Sequence, residues 1–337
     1  MKRIIFVTDA WKPQVNGLIT VFNNLLPALE KRGYEVKVIE PSQFSTIPLP
    51  KYSEIRLSLL PKKKIQRILA DYKPDAIHIF TEGPLGVVAS RVCCAQGLPF
   101  TTSYHTNLQL YFGAYAGRMF TAPMQIFLRW FHSRAVRTLV ATPGLKAELE
   151  SYGYTHVALW PFGVDMHLFV RSTESPVMEL KKPIFVYLGR IAREKSIEDF
   201  LSLDLPGSKL LIGDGPDKVM LEKKYPAAHF VGYKFGTQLV QYLSLGDVCA
   251  FPSRTETFGL AIIEALACGL PIAAYDVMGP RDIVTTGKDG YLGEDIRDSA
   301  LKCLELSPSD CREKAELYSW ERSTDAFLSN LEWITVQ

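Results

Sequence analysis

Short apolar runs rich in Val, Ile and Phe alternate with segments of helical periodicity along the whole chain. That alternation predicts parallel sheets covered by helices, an α/β protein. In the first half, strands are expected at 3–8, 35–40, 76–80, 100–103, 138–141 and 156–160, with helices at 17–32, 62–72, 84–96 and 143–152. The periodicity breaks over 165–183, where Arg171-Ser172-Thr173-Glu174-Ser175-Pro176 carries breaker residues, so an interdomain linker is placed there. The alternation restarts with strands at 183–188, 208–212, 229–231, 248–251 and 271–274, and 320–334 reads as a closing helix. The expected architecture is two doubly wound, Rossmann-like domains, 1–168 joined by the C-terminal helix 320–337, and 169–319. In open α/β sheets ligands bind beyond the carboxyl ends of the strands, so two such domains facing each other are expected to share an interdomain cleft.

A length of 337 residues agrees with two domains of ordinary size, and 47% hydrophobic with 22% charged residues is the balance of a folded globular chain. No apolar run approaches the roughly 20 residues that span a bilayer, and the amino terminus reads as a first strand, not a signal peptide. Cys93, Cys94, Cys249, Cys268, Cys303 and Cys311 show no zinc-like spacing and are expected as reduced core thiols in the cytoplasm. The net charge of +2 hides an asymmetry: residues 1–170 hold 19 Lys+Arg against 11 Asp+Glu, the remainder 19 against 25. A basic first half suits an anionic membrane surface or a phosphorylated partner as well as it suits chance surface composition.

The strongest chemical signal follows the strand at 248–251, where Glu256-Thr257-Phe258-Gly259-Leu260 leads into a helix expected to begin near Phe258 and carrying Glu264. Free N–H groups at a helix start favour an anion such as phosphate, and Gly259 permits close approach of a ligand. Glu256 reads otherwise as a capping carboxylate and Glu264 as a solvated helix residue. Yet Glu264 interrupts the apolar run Leu260-Ala261-Ile262-Ile263 and Ala265-Leu266-Ala267, where an ionised group is costly without a partner. One carboxylate accepting from ribose hydroxyls and one from sugar hydroxyls would use both. After the strand at 183–188, Gly189-Arg190 and Lys195 set two cations on one loop, suited to clamping a diphosphate and stabilising its charge on departure.

The loop Asp9-Ala10-Trp11-Lys12-Pro13-Gln14-Val15-Asn16-Gly17 lacks the Gly-x-Gly-x-x-Gly of dinucleotide binding, which disfavours hydride transfer. Gly17 at a helix start still suits a phosphate, and Asp9 and Trp11 are candidates to line an acceptor site. His105 follows the strand at 100–103, and the aromatic, Gly-rich stretch 110–117, with Tyr111, has the composition of a lid or acceptor loop. Gly213-Asp214-Gly215-Pro216 and Val231-Gly232-Tyr233 are strand-end turns that suit the border of a nucleobase. Lys62, Lys63, Lys64 and Arg67, and Arg129 through Arg137, mix cations with apolar residues, as helices lying on anionic lipid do and as plain solvated faces do.

Taken together, Gly189-Arg190 with Lys195, Gly213-Asp214-Gly215-Pro216, and Glu256-Thr257-Phe258-Gly259 with Glu264 and Gly269-Leu270-Pro271 resemble the retaining GT-B glycosyltransferases of family four, over essentially the whole chain. Asp9 to Gly17, Thr81-Glu82-Gly83-Pro84-Leu85-Gly86 and Ser103-Tyr104-His105-Thr106 resemble its bacterial branch of diacylglycerol glycosyltransferases and mannosyltransferase-like proteins. The resemblance implies that Arg190 and Lys195 bind the donor diphosphate, which Gly17 approaches, and that Glu264 holds the ribose. It implies that Glu256 with the Phe258, Gly259 and Leu260 backbone holds the sugar, which His105 faces near the reacting carbon. The resemblance further implies a reaction that retains configuration, giving an α-glycoside, without covalent intermediate, cofactor or metal. Met278-Gly279-Pro280-Arg281-Asp282 departs from the Gly-Gly-rich turn and Glu of many relatives.

The expected function is transfer of a hexosyl unit from a UDP- or GDP-sugar to a membrane lipid, diacylglycerol or a glycolipid, with peripheral contact at the cytoplasmic face and no nucleic acid partner. A soluble or lipopolysaccharide-type acceptor fits the donor motifs equally. A GT-B-like nucleotide-sugar epimerase and a two-lobed binding protein are the remaining alternatives.

Overall fold

The computed structural model describes residues 1–14, 16–49, 52–105, 121–174 and 176–334. Two compact units form, Met1–Pro161 with Trp320–Gln337, and Phe162–Ser319. Residues 162–168, expected with the first unit, group with the second. There the Val164 N–H donates to the Tyr318 carbonyl at 2.8 Å, and the Arg312 guanidinium donates to the carbonyls of Met166, Phe169 and Ala267 at 2.9, 2.7 and 2.7 Å.

In the first unit the strands are β1 (Arg3–Val7), β2 (Glu35–Ile39), β3 (Thr46–Leu49), β4 (Tyr52–Ser58), β5 (Ala76–Ile79), β6 (Thr101–Ser103), β7 (Arg137–Val140) and β8 (Val157–Leu159). Six of them form one sheet in the order β2-β1-β5-β6-β7-β8, every pair parallel. Central strands of a parallel sheet are covered on both faces, which is why Ile4, Ile5, Phe6 and Val7 run as an unbroken buried string. The helices α1 (Gly17–Lys31), α2 (Lys62–Tyr72), α3 (Pro84–Gln96), α4 (Thr121–His132) and α5 (Pro143–Ser151) supply the crossovers. β3 and β4 pair as an antiparallel hairpin that the apolar pattern did not announce, because Pro48 and Arg56 interrupt the alternation.

The second unit contains β9 (Ile184–Leu188), β10 (Ser208–Ile212), β11 (His229–Phe230), β12 (Val248–Phe251), β13 (Ile272–Ala274) and β14 (Gly290–Leu292). Their order is β11-β10-β9-β12-β13-β14, again all parallel. β14 was not anticipated, since Gly-Tyr-Leu is too short to register as an apolar run. Helices α6 (Ile197–Leu201), α7 (Lys218–Lys224), α8 (Gly236–Leu243), α9 (Leu260–Ala267), α10 (Pro280–Ile283), α11 (Ile296–Cys303) and α12 (Pro308–Glu316) lie in this unit.

The last helix, α13 (Trp320–Asn330), returns to the first unit. Phe327 on it enters an aromatic core, its ring 5.5 Å from Phe6, 4.9 Å from Trp160 and 5.0 Å from His78. Among the described residues no helix is long and apolar enough to cross a membrane. Five of the cysteines are buried thiols, and Cys94 is exposed, contrary to the expectation of a core position.

Candidate active site

β9 and β12 are adjacent in the second sheet, with β10 leaving to one side of β9 and β12 to the other. At such a switch point the loops beyond the two strands diverge and open a crevice at their carboxyl ends. Both charged motifs stand there. From β9 comes Gly189-Arg190, with the Gly189 N–H on the Ile212 carbonyl at 3.0 Å and the Tyr187 hydroxyl donating to the Arg190 carbonyl at 2.7 Å. Tyr187 is fully buried, so it fixes the course of this loop from beneath; sequence reasoning overlooked it because a strand tyrosine reads as core.

The turn Gly213–Pro216 serves the same loop. The Ile191 N–H donates to the Asp214 carbonyl at 2.9 Å, and a Cβ on Gly213 would lie 1.8 Å from the Gly189 carbonyl oxygen. Only glycine admits that approach. The turn therefore supports the Gly189–Ile191 backbone. Tyr233, also expected at the nucleobase, is partly exposed and stacks on Phe235 with centroids 6.0 Å apart.

Lys195 ends a short 3-10 turn, Arg193–Lys195, and its ammonium donates to the Glu256 carboxylate at 2.6 Å. The two side chains are 25% and 15% exposed. The pair joins the loop beyond β9 to the loop beyond β12, the direct meeting of two residues singled out separately from the sequence. Behind Glu256 sits Gly279, with φ +88°, where a Cβ would lie 3.1 Å from both the Glu256 Cβ and the Phe258 carbonyl oxygen. The divergent segment at 278–282 thus backs the site through its backbone, a packing role that no motif advertises.

The helix after Glu256 starts later than expected, at Leu260, because Gly259 adopts φ +96° and serves as its N-cap. Phe258 is buried against Phe162 and Tyr318, at 5.2 and 5.9 Å, so only its backbone is available to a ligand. Glu264 lies on α9, half-buried, and its carboxylate has no hydrogen-bond partner among the described residues, while its carbonyl accepts from the Cys268 N–H at 3.2 Å. Burial pushes its carboxyl up to about 8, because the charged form is disfavoured there without a compensating polar partner.

In the first unit β1 and β5 form the corresponding switch point. Asp9, expected to face an acceptor, is committed elsewhere. Its carboxylate accepts from the Leu85 N–H at 2.9 Å, the Gly86 N–H at 3.2 Å and the Thr81 hydroxyl at 2.8 Å, capping the start of α3. Burial raises its pKa, and these donors pull it back. Gly83 makes room for that carboxylate, since a Cβ there would lie 2.4 Å from its Cγ. The Thr81–Gly86 motif is thereby explained as the receiver of Asp9.

Trp11 is half-buried, edge-on to Phe22 at 5.3 Å, and walls a half-open groove of about 220 Å³ with Lys12, Ile19, Asn23, Leu26 and Glu30. Gly17 is exposed at the start of α1, where Asn16 Oδ1 accepts from the Ile19 N–H at 3.1 Å. Tyr111 and the stretch 110–117 lie outside the described residues.

His105 follows β6. Its Nε2 is 2.6 Å from the Ser103 hydroxyl, and its ring stacks on Phe80 at 5.9 Å and meets Trp160 edge-on at 5.9 Å. Burial, with His132 nearby, pushes its pKa down to about 3, so the imidazole is neutral. A neutral imidazole offers one donor and one acceptor to a ligand rather than a charge.

Two Rossmann-like units, one with a cation–carboxylate pair at its switch point and the other with a neutral imidazole at a strand end, are the GT-B arrangement, and the family matches assign the chemistry. Residues 15–168 match the family described as Glycosyltransferase Family 4, and residues 182–307 match Glycosyl transferases group 1. A sulfoquinovosyl transferase of Arabidopsis thaliana is 32% identical, spanning 95% of this chain and 71% of that protein. A GDP-mannose-dependent alpha-mannosyltransferase of Mycobacterium tuberculosis is 29% identical over 86% and 83%. An alpha-monoglucosyldiacylglycerol synthase of Acholeplasma laidlawii is 28% identical over 86% and 84%. Sucrose-phosphate synthase from Thermosynechococcus elongatus shares the fold with a TM-score of 0.80, at 21% identity over 98% of both chains. The chain belongs to this glycosyltransferase family and is an enzyme of that class.

Proposed function

We propose that the protein transfers a hexosyl unit, with retention of configuration, from a UDP- or GDP-sugar to a membrane lipid of the diacylglycerol or glycolipid type. The observation that carries the donor half is the Lys195–Glu256 pair at the switch point of the second unit, beside the Gly189-Arg190 loop and the start of α9. Arg190 and Lys195 take the diphosphate, and Lys195 exchanges Glu256 for phosphate oxygens when the donor binds. Glu256, released, accepts from sugar hydroxyls, while the Phe258–Leu260 backbone supplies N–H groups. Glu264, whose carboxylate has no hydrogen-bond partner among the described residues, pairs with the ribose hydroxyls.

As the sugar–phosphate bond lengthens, negative charge gathers on the departing diphosphate, and the two cations stabilise it more than they stabilise the bound donor. The acceptor hydroxyl attacks the anomeric carbon from the face the nucleotide leaves and passes its proton to the departing diphosphate oxygen, so the bond to phosphate is replaced by one to the acceptor and the anomeric configuration is kept. Within the first unit, His105 and the Trp11 groove are the candidate ligand contacts.

A lipid acceptor is supported by the name of the glucosyldiacylglycerol synthase relative and by the surface of the first unit. Lys62, Lys63 and Lys64 are exposed, Ile126 is 70% exposed, and Arg91 and Arg134 stand over the Trp130 ring at 5.4 and 4.2 Å. Cations beside an aromatic and an exposed aliphatic residue suit the interface of an anionic bilayer. Turnover of UDP-glucose and GDP-mannose with diacylglycerol in anionic vesicles tests the reading, and vesicle flotation tests the docking. Transfer only to water-soluble acceptors, with no flotation, would remove the lipid part. Donor consumption without any acceptor would point to an epimerase.

A further inference from the structure

Glu256 stands on the loop beyond β12, and on the same loop Arg254 enters a cluster that no step proposed above uses. The Arg254 guanidinium carbon lies 3.6 Å from the centroid of the Tyr275 ring. Tyr275 directly follows β13 and is buried. Burial, with the Asp199 carboxylate beside it, pushes its hydroxyl up to about 12, so it keeps its proton and donates to Asp199 Oδ2 at 2.7 Å. Asp199 lies on α6, and the same Oδ2 is 3.6 Å from Arg254 Nε, which completes a triangle. Glu294, beyond β14, is 3.6 Å from Arg254 Nη1, an exposed contact that contributes little.

The triangle spans the two segments that carry the charges of the donor site. Asp199 comes shortly after Lys195 in the chain, and Arg254 shortly before Glu256. The same segments meet at the Lys195–Glu256 pair, 2.6 Å apart, and through the Thr255 hydroxyl, which donates to the Glu194 carbonyl at 3.3 Å. These ties respond differently to a bound diphosphate. When Lys195 takes phosphate oxygens, its bond to Glu256 opens, and the Thr255 contact is one long hydrogen bond from an exposed residue. The triangle contains no group assigned to the donor, so it survives the exchange.

We propose that Arg254 is a positioning residue that, packed on Tyr275 and paired with Asp199, keeps the loop bearing Glu256 in register with the segment bearing Lys195 while the donor is bound. The proposal rests on the reading of Lys195 and Glu256 as donor ligands. A planar guanidinium suits both tasks, since it stacks on an aromatic face and keeps N–H groups along its edge for a carboxylate. An ammonium keeps the charge and loses the stacked plane. Tyr275 is the buried anchor: its ring carries Arg254 and its hydroxyl fixes Asp199, so both segments are referred to one residue at the end of β13.

The test is calorimetric titration of full-length protein with UDP, GDP, UDP-glucose and GDP-mannose, which needs no acceptor. Because the triangle acts through Glu256 on the sugar, Arg254→Ala should weaken binding of the nucleotide sugar roughly three- to tenfold, the worth of one well-placed hydrogen bond. The bare diphosphate should stay within about twofold of the wild type. Tyr275→Phe, which keeps the ring and releases Asp199, should move the ratio of the two affinities in the same direction, and Arg254→Lys should recover it only in part. In a Glu256→Ala background, Arg254→Ala should add nothing further, the signature of a residue acting through its neighbour.

Wild-type ratios in folded Arg254→Ala and Tyr275→Phe would overturn the proposal. So would equal losses for diphosphate and nucleotide sugar, the mark of a merely structural role, or an additive loss in the Glu256→Ala background, the mark of direct contact with the sugar. Unchanged nucleotide-sugar affinity in both Glu256→Ala and Lys195→Ala would instead overturn the donor-site reading, and the proposal with it. Circular dichroism on each variant identifies a folding defect, and the half-exposed Arg254 allows Arg254→Gln as a second, milder replacement with the same expected ratio.

Discussion

Replacing Lys195 with alanine perturbs the site at its most specific point. The ammonium lies 2.6 Å from Glu256, with the two side chains 25% and 15% exposed. At an effective dielectric constant near 20, unit charges about 4 Å apart attract by ~4 kcal/mol. Against the cost of desolvation, a charge-assisted hydrogen bond of this kind retains roughly 1.5–3 kcal/mol. That is the order of stability Lys195→Ala should cost without bound donor, leaving the fold intact. The catalytic loss is larger. A cation aimed at a departing diphosphate acts where charge develops, and removing one such group costs about 10²–10³-fold in kcat. The donor KM should move less, since ground-state binding keeps Arg190 and the backbone. Release of UDP or GDP under saturating donor measures kcat, and circular dichroism verifies folding. Glu256→Ala should lose activity comparably through the sugar. Near-wild-type kcat in both variants, correctly folded, would refute the assignment of this pair to the donor site.

Asp9→Ala should act on stability: it strands the Leu85 and Gly86 N–H groups and the Thr81 hydroxyl, a loss of about 2–4 kcal/mol readable in urea melts. Glu264 gives a pH signature. Its folded pKa, about 8, stands above its ordinary 4.5, so its contribution to stability is fully present below pH 4.5 and is lost as pH rises through 8. Glu264→Gln should flatten the thermal-stability profile across that window, and an unchanged profile would contradict the burial argument. Gly279→Ala adds a Cβ at φ +88°, 3.1 Å from Glu256, and should weaken nucleotide-sugar binding in a thermal-shift titration while costing about 1–2 kcal/mol of stability.

The strands and crossover helices were legible because a parallel sheet buries both faces of its strands, leaving unbroken apolar runs such as Ile4 to Val7 and Val248 to Phe251 between amphipathic helices. The hairpin around Pro48 and the short strand at Gly290 were not, since neither carries such a run. Charged site residues were visible for a related reason: Arg190, Lys195, Glu256 and Glu264 stand where apolar runs end or are interrupted. What remained hidden depends on contacts between segments far apart in sequence. Asp9 looks like a loop carboxylate until Leu85 and Gly86 are brought beneath it. His78 looks like a stray polar residue in a strand until β6 sets Thr101 and Ser103 against its two nitrogens. The late start of α9 is likewise a backbone matter, decided by the left-handed conformation of Gly259.

The central claim, transfer from a nucleotide sugar with retention, is tested most directly by the anomeric configuration of the first product. The protein should be incubated with UDP-glucose or GDP-mannose and diacylglycerol vesicles, and the glycolipid formed read by proton NMR at the anomeric position. An α-glycoside is predicted, formed by the wild type and lost in Lys195→Ala. A β-glycoside, or no transfer from any nucleotide sugar by folded protein, would contradict the account.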